Sequence, residues 1–475
     1  MDGKAAALTI LHTNDLHSHF EAAARISRMA ASLRAKVPRE RLLIVDCGDH
    51  VDRMRLETEG TDGRANRAVL EWTGYDAVTL GNNEGLTLTR EQMERLYADA
   101  PFAVVCANLF EADTGRRPSW MKPSHVLEKG GVRIGLVGLT AAFANYYSLL
   151  GWHAADPLEI AADVIPDLRK KADLVIVLSH LGLRYDEVLA VRVPGIDLIL
   201  GGHTHHLLEQ PVRVGDTTIG AAGKYGDYAG IVECRRVPGR RFRLSGGCEP
   251  TDAQPEDPEL TRLLEGLRRE AAAAMNRPVA ALRDPLPSRP DAESPLATLL
   301  AAEIRRVTGS EIGLVNAGQL LGGLPAGTVT KLDIHAVCPS PINACRIRLK
   351  GGLIRRALEE SLLPEFTEQE IRGFGFRGKV LGTLCFDGME AAADLSRPPY
   401  ERLVSVTVGG KPLADDREYA VGTLDMFTFG GGYVGIRGGG GERDFLPDFI
   451  RDLLARALGD ERAVEDCRKP RWRLA

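Results

Sequence analysis

The 475-residue sequence is sparing with cysteine, and its eight cysteines (Cys47, Cys106, Cys234, Cys248, Cys338, Cys345, Cys385 and Cys467) form no C-x-x-C pair. That spacing excludes a disulfide framework and reads as reduced thiols, the usage of a cytoplasmic protein. Excess positive charge is also missing. The net charge is −5 and no Lys/Arg stripe stands out, which argues against a nucleic-acid partner. Nor is there a clean membrane span. The stretch 134–155 carries no acidic or basic residue, but Gly, Thr, Asn, Tyr and His interrupt it, so it is read as strand, loop and helix start. The opening MDGKAAALTI enters a strand at once and leaves no room for a signal peptide, so the expected location is the cytoplasm, with no membrane partner. Internal repeats and low-complexity tails are absent too.

What is present is ordinary globular composition, 44% hydrophobic and 26% charged. The chain is too long for one core, so two domains, or at most three, are expected. Residues 1–250 read as a first, catalytic domain. A polar, proline-bearing break follows, and 251–277 read as a linker and connecting helix with Leu260, Leu263, Leu264 and Leu267 on one stripe. Residues 278–475 read as a second, glycine-rich α/β domain, ending in an amphipathic helix from Phe445 to Leu458.

The first domain repeats one plan. An apolar, β-branched strand runs into a polar cluster: Leu8–Thr13 into Asp15 and His17, Arg41–Val45 into DCGDHVD (46–52), Ala77–Leu80 into GNNEG (81–85). The run 101–109 is read as another strand, ending in Asn108. ADLVIVLSH ends in His180, and IDLILGGHTHH leads to His203 and His205. Strand ends are where an α/β sheet gathers its chemistry. Asp15, His17, Asp49, Asn82, His180, His203 and His205 are all oxygen or imidazole donors, which favours Mn²⁺, Zn²⁺, Fe²⁺, Co²⁺ or Mg²⁺ over a sulfur site. Seven donors are too many for one ion, whereas two ions sharing a carboxylate suit a hydrolase.

The series NDLHSH, DCGDH, GNNE, LSHLG and GGHTHH resembles the metallophosphoesterase domain of the 5′-nucleotidase family, and NAGQL and TLDMFTFGGGY extend the resemblance through the second domain. The resemblance implies an α/β fold: a four-layer αββα metallophosphoesterase domain followed by a smaller α/β C-terminal domain. It implies two divalent metal ions, with Mn²⁺ favoured. Asp15, His17, Asp49 and His205 would hold one; Asp49 as bridge, Asn82, His180 and His203 would hold the other. The implied partner is a small phosphorylated, nucleotide-like substrate, hydrolysed by a metal-bound hydroxide.

The chain departs from the family where the leaving group is handled. Family members carry a histidine after the GN asparagine, oriented by an aspartate three residues on; here these are Asn83 and Leu86. Asparagine can hold a phosphoryl oxygen but cannot donate a proton. His19 and His50, in the metal loops, are the candidate replacements, with Glu84 a third. The family arginine that grips phosphate matches about Leu321, and the two base-stacking aromatics fall near Leu381 and Met426. Phe376, Phe427, Phe429 and Tyr433 are close enough in sequence to substitute, with core packing an equal alternative for them, and Asn108 and Asn316 are further candidate substrate contacts. Three readings stay open: a nucleotidase acting on phosphate monoesters, a phosphodiesterase or pyrophosphohydrolase, and a metal-containing binding protein.

Overall fold

The structure is a computed structural model describing residues 7–475 except 238, 239, 374, 438 and 440. It divides into two compact units, Met1–Ala271 and Ala272–Ala475, and the boundary falls within the helix Pro258–Met275. Leu260 and Leu264 of that helix belong to the core of the first unit.

Two sheets make the centre of the first unit. One orders its strands Arg240–Pro250, Tyr228–Val237, Leu8–Thr13, Leu42–Asp46, Ala77–Val78, Ala103–Val105 and Met121–Lys122; the other orders Val212–Val214, Thr217–Ala221, Leu198–Gly201, Leu174–His180, Val132–Thr140 and Ser124–Lys129. Alternation explains the layering. Leu8, Ile10, Leu43 and Val45 share a buried layer with Ile134, Leu136, Ile176, Leu178 and Leu200. Leu11 and Ile44, on the opposite face, pack under Ile26 and Met29 of the helix Phe20–Lys36. On the far side, Val175, Val177 and Ile199 pack against Ile165 and Leu168 of the helix Pro157–Lys171. Each such side chain contributes roughly 1.5–3 kcal/mol on burial. The result is the expected αββα order.

Parallel register aligns the strand ends. Thr13 pairs with Asp46 and Asp46 with Val78; in the second sheet, Ser179 pairs with Gly201. The loops that follow therefore leave the same edge of each sheet.

Two expected elements differ. The run 101–109 splits into Ala103–Val105 and Leu109–Glu111, because between them the chain turns to the other sheet: the Ala107 N–H donates to the Gly138 carbonyl at 2.7 Å. The helix expected from Phe445 begins at Ile450. Pro447 cannot continue a helix, Gly441–Phe449 pairs as a strand with Asn343–Lys350, and Asp452 accepts the Phe449 N–H to cap the helix start. That helix does not close the chain, since Glu461–Asp466 and the strand Trp472–Leu474 follow. The second unit packs five- and four-stranded sheets with the helix Pro295–Thr308, whose Leu299, Leu300 and Ile304 meet Leu314 and Val421. Among the described residues no helix is long and apolar enough to cross a membrane.

The sheets approach closely at Gly138, where an added methyl group would overlap the backbone oxygen of Val105 and crowd Thr79. At Gly266, inside the helix Pro258–Met275, the same methyl group meets open space. Gly138→Ala is expected to destabilise by about 3 kcal/mol, while Gly266→Ala stabilises by up to about 1 kcal/mol. Chemical denaturation of the two variants checks both signs.

Candidate metal centre

The loops bring five of the seven sequence-selected donors into one cluster and pair the other two at its side. His17 Nε2 lies 3.8 Å from Asp15 Oδ1 and 3.8 Å from Asp49 Oδ2. His180 Nε2 lies 3.3 Å from Asp49 Oδ1 and 3.9 Å from Asp15 Oδ1. His205 Nε2 is 3.4 Å from Asp15 Oδ1 and 3.3 Å from His17 Nε2. Beside these, His203 Nδ1 and Asn82 Oδ1 converge at 2.9 Å. Two trios have donor atoms close enough to share a cation: Asp15 with His17 and His205, and Asp15 with Asp49 and His180. Asp49 turns one oxygen toward His17 and the other toward His180, so it also spans the two halves.

Two observations show that the cluster suits a cation. The first is an orphan. His180 donates through Nδ1 to the Cys47 carbonyl at 2.8 Å, which leaves its fully buried Nε2 facing the carboxylates without a hydrogen-bond partner. The second is strain. Of nine non-glycine residues at positive φ among the described residues, five are Asp15, His17, Asp49, His203 and His205. Such conformations cost of order 1–3 kcal/mol each and persist only where the surroundings over-determine them.

Residues 8–207 match the calcineurin-like phosphoesterase family, and residues 275–435 match the 5′-nucleotidase C-terminal domain. The sequence is 36% identical over 457 residues to an uncharacterized metallophosphoesterase of Bacillus subtilis, covering 94% of this chain and 98% of that one. The chain belongs to the 5′-nucleotidase family. It is also 26% identical, over 89% of its length, to a trifunctional nucleotide phosphoesterase protein of Bacillus subtilis; the match spans 32% of that longer protein. Among solved structures it is similar to a 5′-nucleotidase precursor from Thermus thermophilus, with a TM-score of 0.60, 25% identity and coverage of 98% and 99% of the two chains. It is a phosphoester hydrolase, and its family implies divalent metal ions.

Asn83 and the candidate proton donors Glu84, His50 and His19 lie on the segments that carry the donors. The Asn83 side chain is turned into the loops: Nδ2 donates to the Val51 carbonyl at 2.9 Å and lies 3.0 Å from His17 Nδ1. Glu84 is buried, and its carboxylate accepts the backbone N–H groups of Gly81, Asp49 and Val51, so it fastens two loops together. His50 is buried with Nδ1 against the Asn66 amide, and burial pushes its pKa down to about 3. His19 directs Nδ1 to the carbonyls of Leu16 and His17, both at 3.1 Å, and stacks on Tyr225 at 4.2 Å.

Most of the candidate substrate contacts are buried. Asn108 is fully buried, and its amide bonds to the Thr140 N–H and to the carbonyls of Thr140 and Ala155, tying down the bend after Val105. Asn316 is buried and donates to the Leu381 carbonyl at 2.7 Å. Phe376, Phe427 and Tyr433 are core residues, with the Tyr433 hydroxyl donating to the Gly382 carbonyl. Only Phe429, 45% exposed, presents an aromatic surface.

One residue escaped the sequence reading. Asp52 Oδ2 lies 3.5 Å from His17 Nδ1. An Nδ1–H given to Asp52 leaves the Nε2 lone pair directed at Asp15 and Asp49, the arrangement in which a carboxylate orients a metal-binding imidazole. Its signal was the carboxylate three residues after Asp49 in DHVD. Electrostatics follow from the same contacts. Burial opposes charge on His180, but Asp49 and Asp15 outweigh it and raise its pKa to about 10. Burial would likewise raise the Asp49 pKa, but His180 and His17 depress it.

A proton therefore occupies His180 of the metal-free protein up to about pH 10, and a cation must displace it. Metal uptake is expected to release protons, and apparent affinity to rise by about tenfold per pH unit for each proton released below that pH. Titrating the metal-free protein in weakly buffered solution from pH 6 to 9 reads both. Asp52→Asn is expected to weaken metal binding by about 10- to 100-fold without unfolding the protein, read by competition with a chelator and by thermal melting.

Proposed function

We propose that the chain is a dinuclear phosphohydrolase for nucleotide-like substrates, and that it cleaves phosphoanhydrides in preference to phosphate monoesters. In this reading Asp15, His17 and His205 hold one divalent ion, Asn82, His180 and His203 hold the other, and Asp49 spans both. A donor set of oxygen and imidazole without thiolate suits manganese, zinc, iron, cobalt or magnesium, and manganese is the ion used in the test below. When bound, two such ions supply Lewis acidity toward a phosphoryl oxygen and make a nucleophile available from water near neutral pH. The relative named a trifunctional nucleotide phosphoesterase supports a nucleotide-like substrate. Eight free thiols, seven of them buried, support a place in the cytoplasm.

The observation that carries the preference is the side-chain environment of position 83. Monoester hydrolysis expels an alkoxide-like oxygen and gains about 10²–10⁴-fold from a proton donor. Asn83 has no proton to give, and its amide donates to the Val51 carbonyl. Leu86 cannot orient a donor. His50 is buried, Glu84 is engaged by three backbone N–H groups, and the Nδ1 of His19 faces two carbonyls. An anhydride, by contrast, expels a phosphate that leaves without a proton.

The test compares AMP with ADP-ribose on manganese-loaded protein, using a coupling phosphatase to reveal anhydride cleavage. Anhydride hydrolysis is expected to be at least about tenfold faster, and Asn83→His to shift the ratio toward AMP. Faster AMP hydrolysis would return the chain to the monoester reading, and no turnover of either would favour a binding protein.

A further inference from the structure

The turn Ala222–Gly226, which follows the strand Thr217–Ala221, is fastened to the loop that carries Asp15. Asn14 Oδ1 accepts the Ala222 N–H at 2.9 Å, and Asn14 Nδ2 donates to the Gly223 carbonyl at 2.7 Å and to Asp15 Oδ2 at 2.8 Å. The Tyr225 N–H donates to the Asp15 carbonyl at 2.7 Å. Tyr225 itself adopts φ +60°, a conformation a bulky residue seldom takes, in common with five of the cluster's donors. Its ring stands edge-on to His17 at 5.7 Å and lies 6.4 Å from His205.

The next residue back supplies a cation. Lys224 Nζ rests 4.5 Å from the centroid of the Tyr225 ring, and the side chain is partly exposed. No carboxylate pairs with it among the described residues. Arg55, the cation near His19, is by contrast engaged by Glu21 and Glu57. An aromatic face holds an ammonium loosely, by about 0.5–1 kcal/mol at an exposed site, and leaves its three N–H donors available.

We propose that Lys224, carried on Tyr225, binds the phosphate next to the scissile phosphoryl group, so that the centre selects nucleoside diphosphates and related anhydrides over monophosphates. One aromatic ring separates the ammonium from His17, which sets it beside the cation cluster rather than within it. An oxygen bound there belongs to the neighbouring phosphate, while the metal donors take the group under attack. The inference rests on the anhydride reading above and names the residue that recognises its substrate.

The experiment measures binding, so that it stands even if turnover fails. Manganese-loaded wild type, Lys224→Met and Lys224→Arg are titrated calorimetrically with adenosine 5′-(α,β-methylene)diphosphate and with AMP. Lys224→Met is expected to weaken the diphosphate analogue by about tenfold and AMP by less than about twofold, and Lys224→Arg to restore most of the loss. Unchanged affinity for the diphosphate, or equal weakening of both ligands, overturns the assignment. Failure of the anhydride reading would show instead as AMP turnover exceeding that of ADP-ribose, with the calorimetric difference intact.

Discussion

Two buried carboxylates of like charge, Asp15 and Asp49, lie within reach of the same imidazole, and much of the first unit can be understood as the means of keeping them there. Each is satisfied locally: Asp15 Oδ2 accepts the His203 N–H and the Asn14 amide, and Asp49 Oδ1 accepts the Asn83 N–H. Hydrogen bonds of this kind reduce the desolvation cost but do not remove the repulsion. Only positive charge does that, whether a proton on His180 or a cation between the donors. Five donors in left-handed backbone add strain that, at roughly 1–3 kcal/mol each, rivals the whole net stability of an average domain. The strain is therefore borne by the framework. Glu84 pins the Gly81 and Asp49 loops together, Asn14 pins the Ala222 turn, and the parallel strands hold all of these loops at aligned ends.

This division between framework and chemistry explains why the convergence of the candidate donors was legible in the sequence. Each follows a short apolar run whose alternation identifies a strand, and strand ends in a parallel sheet converge whatever lies between them. The layered order was legible for the same reason, since Leu8 and Ile10 on one face and Leu11 on the other already specify two buried surfaces. What depends on contact rather than on pattern was not legible. Asp52 matters because it faces His17, and Tyr225 because it lies beside His17 and under Lys224. Tyr225 is more than 200 residues from His17 along the chain, and no local period announces the pairing.

Aromatic residues of the second unit are less legible. Phe376, Phe427 and Tyr433 sit among glycines, where the sequence leaves stacking rings and core rings equally open. They are buried, because glycine lets the backbone fold closely around large rings: a methyl group at Gly378 would collide with Phe376 and one at Gly432 with Phe427. Pro447 was the one local signal that should have shortened the last amphipathic helix, since its ring cannot lie inside a helix and the capped start follows three residues later.

The substitution at position 83 then becomes intelligible as a change that the framework permits. The helix Asn82–Thr87 starts with a candidate ligand and continues with the altered residue. What position 83 contributes to the metal loops is its backbone N–H, donated to Asp49 Oδ1 at 2.7 Å, and any residue but proline offers that group. The side chain is thereby released from the duty of holding Asp49. In this chain it donates to the Val51 carbonyl and lies beside the His17 ring, with no acidic proton to offer. Because the two functions sit on backbone and side chain of one residue, the second can be exchanged without disturbing the first. The side chain at this position can thus vary while the donor cluster keeps its shape.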